Sequence, residues 1–198
     1  PVPYEAWREP QFRFGSFTTL GELTLETDIS EKGVKHYRRA LSVDSAYAKV
    51  SFTAENGVSY ERRTFISYPA NVMAVRLTAS EKGKQNLTVN YTPNPLGEGT
   101  FRPDGKGGLC YVGHLDNNGM EYAVRLQVIP TKGSVTYTDG KLKVVGADAV
   151  TILLTADTDY APNYNPDFNE NGKQIVEQGY TTDVITDKAI EYLEHRDR

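Results

Sequence analysis

Cysteine is almost absent: Cys110 is the only one in 198 residues. An internal disulfide is therefore excluded, and the fold has to rest on its core. A nucleophilic thiol needs a partner that lowers its pKa, and the sequence around Cys110 offers none. The residue instead reads as a buried thiol in a strand over Leu109–Val112. Long apolar runs are also missing, with nothing near the ~20 residues of a membrane helix. No basic amphipathic stretch suits a membrane surface. The net charge is -4 with both signs interspersed, so there is no cationic footprint for nucleic acid. His36, His114 and His195 are the only histidines, and no HxH or HExxH spacing links them. A phosphate-binding loop, a GxSxG elbow and a dinucleotide fingerprint are all lacking. Neither a metal nor a cofactor is expected.

What is there is a period of two. In Ala46-Ala48-Val50-Phe52 every second residue is apolar, while Tyr47, Lys49 and Ser51 alternate with them. That pattern puts one face in a core and one in water. Asn56-Gly57 then offers the two left-handed residues of a tight hairpin. Val58 to Ser67 returns as the partner strand, and Met73-Val75-Leu77 repeats the alternation. This meander is flanked by more of the same. Phe12 to Leu25 is β-rich, with Gly15 and Gly21 marking bends. Leu87-Val89-Tyr91 alternates, as does Glu121–Ile129, where Tyr122, Val124, Leu126 and Val128 face one way. Val135–Tyr137 and Leu142–Val144 flank Asp139-Gly140, a second hairpin signal. Ala149–Leu154 is apolar on both faces and belongs in the middle of a sheet. Gly97–Gly108 is rich in glycine and charge and reads as a loop.

The composition changes near residue 160. The segment 161–180 is polar and rich in turn formers, a linker. Val184, Ile185, Ala189, Tyr192 and Leu193 then make an apolar stripe at helical spacing within 181–198. About ten short strands, several hairpins and one terminal helix make an all-β domain over 1–160. The expected architecture is a two-sheet antiparallel β-sandwich, supersandwich-like, with a short C-terminal helix.

Chemistry is sparse along this chain. Asp167–Gly172 has the opening of a calcium loop, but Gln178 stands where the bidentate Glu belongs and Glu177 is one residue early. A cluster of turn formers is the better reading of this stretch. Glycoside hydrolysis needs only two carboxylates, and nothing selects a pair from the 26 acidic residues. Tyrosine is abundant, 13 residues, and suits both half-buried strand positions and stacking on sugar rings. Tyr160, Tyr164 and Phe168, in the polar segment, are the candidates for glycan contact; Tyr180 is a further aromatic there.

Several runs resemble a known family. They are Phe14–Leu23 (FGSFTTLGEL), Tyr37–Ala46 (YRRALSVDSA), Val58–Pro69 (VSYERRTFISYP) with Asn71–Leu77 (NVMAVRL), and Leu153–Tyr160 (LLTADTDY). In order and spacing they are similar to the N-terminal domain of family 95 glycoside hydrolases of Bacteroides type. Those enzymes are inverting α-L-fucosidases, some acting on α-L-galactosides. The resemblance implies a β-sandwich that supports a separate (α/α)6 barrel holding the catalytic residues. It implies a periplasmic or extracellular bacterial protein. The family's first strands and its barrel have no counterpart here, so no catalytic residue carries over, and this chain alone is not expected to be an enzyme. Tyr37-Arg38-Arg39 matches a signature of the domain, and its simplest role is a strand with a charged face. The implied partners are the barrel and a glycan. The alternative is a self-sufficient carbohydrate-binding module, which needs an exposed aromatic platform. If early strands are missing, one sheet edge is bare. A second copy or the chain's own N-terminal segment would then cover it.

Overall fold

A computed structural model of the chain describes residues 18–116 and 119–159, with the backbone of 168–170 and 173–175. The chain divides into two units, Pro1–Thr158 and Asp159–Arg198. Among the described residues every regular element is a strand. The smaller sheet of the first unit runs β1 (Gly21–Thr27), β6 (Gln85–Pro93), β11 (Lys141–Ala147), β10 (Ser134–Thr138). The larger runs β2 (Lys35–Ser42), β3 (Tyr47–Thr53), β4 (Ser59–Ser67), β5 (Val72–Ala79), β12 (Ala149–Thr158), β9 (Glu121–Thr131), β8 (Gly108–Leu115), β7 (Gly97–Pro103). All neighbouring strands are antiparallel. The molecule is the expected all-β, two-sheet antiparallel sandwich. The helix expected within 181–198 lies outside the described residues.

The core lies between the sheets. From the smaller sheet come Leu87, Val89, Leu142 and Val144; from the larger come Val75, Leu77, Leu126, Val128, Val150 and Ile152. Val89, Leu142, Val150 and Ile152 are fully buried. Each such aliphatic side chain contributes about 1.5–3 kcal/mol over leaving it exposed. β12 is central, between β5 and β9, as its apolar run required. β6 lies over β5, and β11 and β10 lie over β9. β1 is thus the edge strand of the smaller sheet on the side of β4, β3 and β2.

An aromatic layer closes one end of this core. Tyr91, Phe101 and Tyr111 are in mutual ring contact, Phe101 and Tyr111 at 4.9 Å between centroids, and Tyr122 joins them through Tyr111 at 5.7 Å. Tyr91 Oη donates to the Leu20 carbonyl at 2.8 Å. Burial holds the Tyr91 hydroxyl well above its ordinary pKa and pushes Tyr111 up to about 12.

Three local expectations are corrected. Gly97–Gly108 is not a loop throughout: Gly97–Pro103 is the edge strand β7, and only the segment after it turns. Its glycines serve close packing, because a Cβ on Gly99 would run into the Val112 carbonyl and come within 2.5 Å of Tyr111 Oη. In the first hairpin only Gly57 is left-handed, at φ 85°. The chain turns over Glu55–Gly57, closed by the Ala54 amide donating to the Val58 carbonyl at 2.9 Å. The second hairpin does use two left-handed residues, Asp139 (φ 48°) and Gly140 (φ 80°), the type I′ geometry that matches strand twist. Cys110 sits in β8 as expected, but it is only half-buried. Its neighbours Leu109 and Tyr111 take the core face instead.

Candidate functional site

The larger sheet is wider than the smaller one, and the surplus is β2, β3 and β4. Cross-strand rows show the consequence. Along one row lie Ile152, Val75, Thr64, Ala48 and Leu41. Ile152 is 0% exposed, Val75 4%, and Leu41, at the far end, 74%. The next row is Val150, Leu77, Arg62, Val50 and Arg39. It begins buried and ends at two exposed arginines. Ile66, opposite Met73 on the same face, is 72% exposed. Residues directly opposite across an antiparallel pair share a face. This surface is therefore the core face of the sheet, continued past its cover.

The period-two reading of β3 is right, but its apolar side meets a core only at Phe52, which packs with Ile29 against buried Val58 and Tyr60. Val50 and Phe52 are half-buried and Ala48 is exposed, while Ala46 lies in the preceding turn at φ 51°. The missing signal was the mixed character of the flanking strands. β2 presents Tyr37, Arg39 and Leu41 beside this face, and β4 presents Arg62 and Ile66. A fully covered face would not place two arginines among aliphatics. Arg39 and Arg62 have no ion-pair partner among the described residues. A cleft of about 360 Å³ separates this half from the end of β1, lined by Ile29, Tyr37, Arg39, Val50, Phe52 and Arg62 among others.

The opposite face of the same strands carries an ion-pair cluster around Glu61, with Arg38 and Arg76 beside it in no ion pair among the described residues. Lys49 Nζ and Arg63 Nε each lie 2.5 Å from a Glu61 carboxylate oxygen. The Arg63 guanidinium also stands 5.7 Å from the centre of the Tyr47 ring. The hydrogen bonds from Lys49 and Arg63 hold the Glu61 carboxyl below its usual range. Asp104 is held low by the amides of Lys106 and Gly108, which donate to Oδ1 at 2.8 Å each. A glycosidic general acid needs the reverse shift. Asp28 and Glu55 line one open hollow of about 450 Å³, which Lys84 also lines. Among the described residues no group of three His, Cys, Asp or Glu is placed to hold a metal ion.

Of the glycan candidates, Tyr160 and Tyr164 lie outside the described residues. Phe168 is placed by its backbone alone, in β13 (Phe168–Glu170), which pairs with β14 (Lys173–Ile175). Of the calcium-like stretch, only the backbone of Phe168–Glu170 is described. Tyr180 lies outside the described residues. The large exposed aromatics among the described residues are Tyr37, Phe65 and Tyr68. Tyr37 is on the core face, Phe65 on the opposite face and Tyr68 in a turn, at the end of the strands away from Tyr37. They do not form one platform.

These features define a two-sheet antiparallel β-sandwich domain whose larger sheet extends past the smaller one among the described residues. Residues 4–163 match the family described as glycosyl hydrolase family 65, N-terminal domain, and the chain belongs to that family. The resemblance to a glycoside hydrolase N-terminal domain stands, while the family number is 65 and not 95. The chain is 29% identical over 168 residues to Alpha-L-fucosidase 2 of Arabidopsis thaliana, covering 73% of this chain and 20% of that protein. Over 46 residues it is 54% identical to an N-acetylglucosamine-6-O-sulfatase of Bacteroides thetaiotaomicron, covering 23% of this chain and 8% of that protein. Its fold resembles that of a putative kojibiose phosphorylase from human microbiome, at a TM-score of 0.50 and 8% identity, over 87% of this chain and 24% of the other. The chain thus spans a quarter or less of the length of each of these proteins.

Proposed function

We propose that this chain is the non-catalytic N-terminal β-sandwich of an α-L-fucosidase-type glycoside hydrolase, supporting the hydrolysis of α-L-fucosyl linkages by a separate (α/α)6 barrel. The observation that carries the reading is collinear similarity to a named fucosidase over most of this chain and a fifth of that protein. The chemistry of the described residues agrees with it. Glu61 and Asp104 are both held in the ionised form, the wrong state for protonating a leaving group. The barrel and a fucosylated glycan are the proposed partners. A bacterial periplasmic or extracellular setting follows from the Bacteroides-type resemblance.

The test is incubation of the chain with an aryl α-L-fucoside. No release above background is expected. Turnover that survives repurification would place catalysis in these residues and overturn the reading. Titration calorimetry with fucosylated oligosaccharides addresses the carbohydrate-binding alternative. Heat of binding by the isolated chain would favour that module over the scaffold.

A further inference from the structure

We infer that residues 1–17 of the chain seat on the uncovered core face of β2, β3 and β4, completing the smaller sheet beyond β1. This holds whether or not the parent enzyme acts on fucosides, because it concerns only how this chain covers its own sheet.

The first argument is position. β1 begins at Gly21, opposite Pro93 of β6. β5 and β6 are joined by the short turn 80–84, so Pro93 lies at the same end of the sandwich as Val72. Val72 pairs with Ser67, and Phe65 with Tyr47, itself opposite Ser42. Leu41, Val43, Ile66 and Tyr68, all strongly exposed, cluster at that end. The chain reaches β1 there and is pinned there. Buried Asn94 donates from Nδ2 to Thr18 Oγ1 at 2.9 Å and to the Thr19 carbonyl. Residues 1–17 therefore start beside the uncovered patch.

The second argument is reach and content. Extended, 17 residues span up to about 56 Å at ~3.3 Å each. The open half is three strands wide, roughly 10–15 Å. The segment carries Tyr4, Trp7, Phe12, Phe14 and Phe17, a heavy apolar load for so short a stretch. Burying such side chains is favourable. It also carries Glu5 and Glu9 together with Arg8 and Arg13, so its net charge is zero, and its position, reach and apolar content are what favour the seating. A tethered segment acts at high effective concentration, which favours it over a second copy. A second copy presenting the same face would also set arginine against arginine.

Trp7 is the only tryptophan, so its fluorescence reports on this segment alone. In the full chain, acrylamide should quench Trp7 several-fold less than free N-acetyltryptophanamide. The double variant Leu41→Asp/Ile66→Asp should raise quenching towards the free value, while Phe65→Asp, on the opposite face, should leave it unchanged. Far-UV circular dichroism confirms that each variant is folded; where the aspartate variant is not, the milder Leu41→Gln/Ile66→Gln takes its place. Free accessibility of Trp7 in the wild type would overturn the inference. So would protected Trp7 that ignores the face variant. Protection that fades on dilution, with a dimer by light scattering, would show a second copy as the cover and overturn it as well.

Discussion

The two halves of the larger sheet are built by one rule and meet different fates. At the β5–β12–β9 end, alternate residues point into a layer of aliphatics supplied by β6 and β11. At the β2–β3–β4 end the same alternation continues in register, but among the described residues β1 is the last strand of the smaller sheet. Ile152 and Leu41 belong to one cross-strand row and point to one side of the sheet, yet one is fully buried and the other mostly exposed among the described residues. Periodicity fixes which face a side chain joins. Only the second layer decides whether that face is a core.

The sharpest way to break the comparison is to truncate both ends of that row. Ile152→Ala should cost about 2–5 kcal/mol, because the cavity lies among side chains that cannot collapse into it. Leu41→Ala on a bare surface should cost no more than about 0.5 kcal/mol. With residues 1–17 seated over it, the loss at Leu41 should be greater, on the order of 1 kcal/mol, part of a buried aliphatic's contribution. Urea midpoints of the two variants, with the slope unchanged, measure both. Equal losses at the two positions would abolish the distinction between the halves.

A second test addresses the far end of the covered half, where glycine is required for space. Gly99→Ala pushes a methyl against the Val112 carbonyl and the Tyr111 ring. The carbonyl belongs to the β7–β8 ladder and has little room to move. Overpacking of this kind costs about 1–3 kcal/mol. A thermal melt that shows no loss for Gly99→Ala would mean that the aromatic layer is looser than its ring contacts imply. The glycines beyond the covered half give the contrast. A Cβ on Gly57 meets nothing within 4 Å, and that residue is kept by its φ of 85° instead.

The same distinction explains what was legible in the sequence. β9, β12 and the Asp139-Gly140 hairpin could be read directly, since their signals are local: strict alternation, a two-faced apolar run and a turn dipeptide. β7 was hidden, because Gly97 and Gly99 look like loop residues unless the Tyr111 ring that occupies their missing side chains is known. The open face was hidden for a related reason. Val50 and Phe52 alternate as core residues do, and no local feature of β3 says that its cover ends at β1. Arg39 and Arg62 were the clue, and they speak only after registers place them in one row. The glycan candidates Tyr160, Tyr164 and Phe168 came from composition alone, which says nothing about their neighbours.

The smallest effect is expected on the outer face of the open half, at the ion pairs of Glu61. Glu61→Gln removes the ion pairs to Lys49 and Arg63. These are partly exposed, so water and salt already weaken them, and the loss should be about 0.2–1 kcal/mol. Its pH dependence carries the test. The folded Glu61 carboxyl has a lowered pKa, held by hydrogen bonds from Lys49 first and Arg63 next. Its contribution is therefore complete above the unfolded value of about 4.3 and disappears as pH falls through the lower folded value. Wild type and Glu61→Gln should differ in urea midpoint at neutral pH and converge in acid. A gap that persists in acid would mean that Glu61 acts through packing of its stem. A gap that widens in acid would reverse the sign of the shift assigned to Glu61.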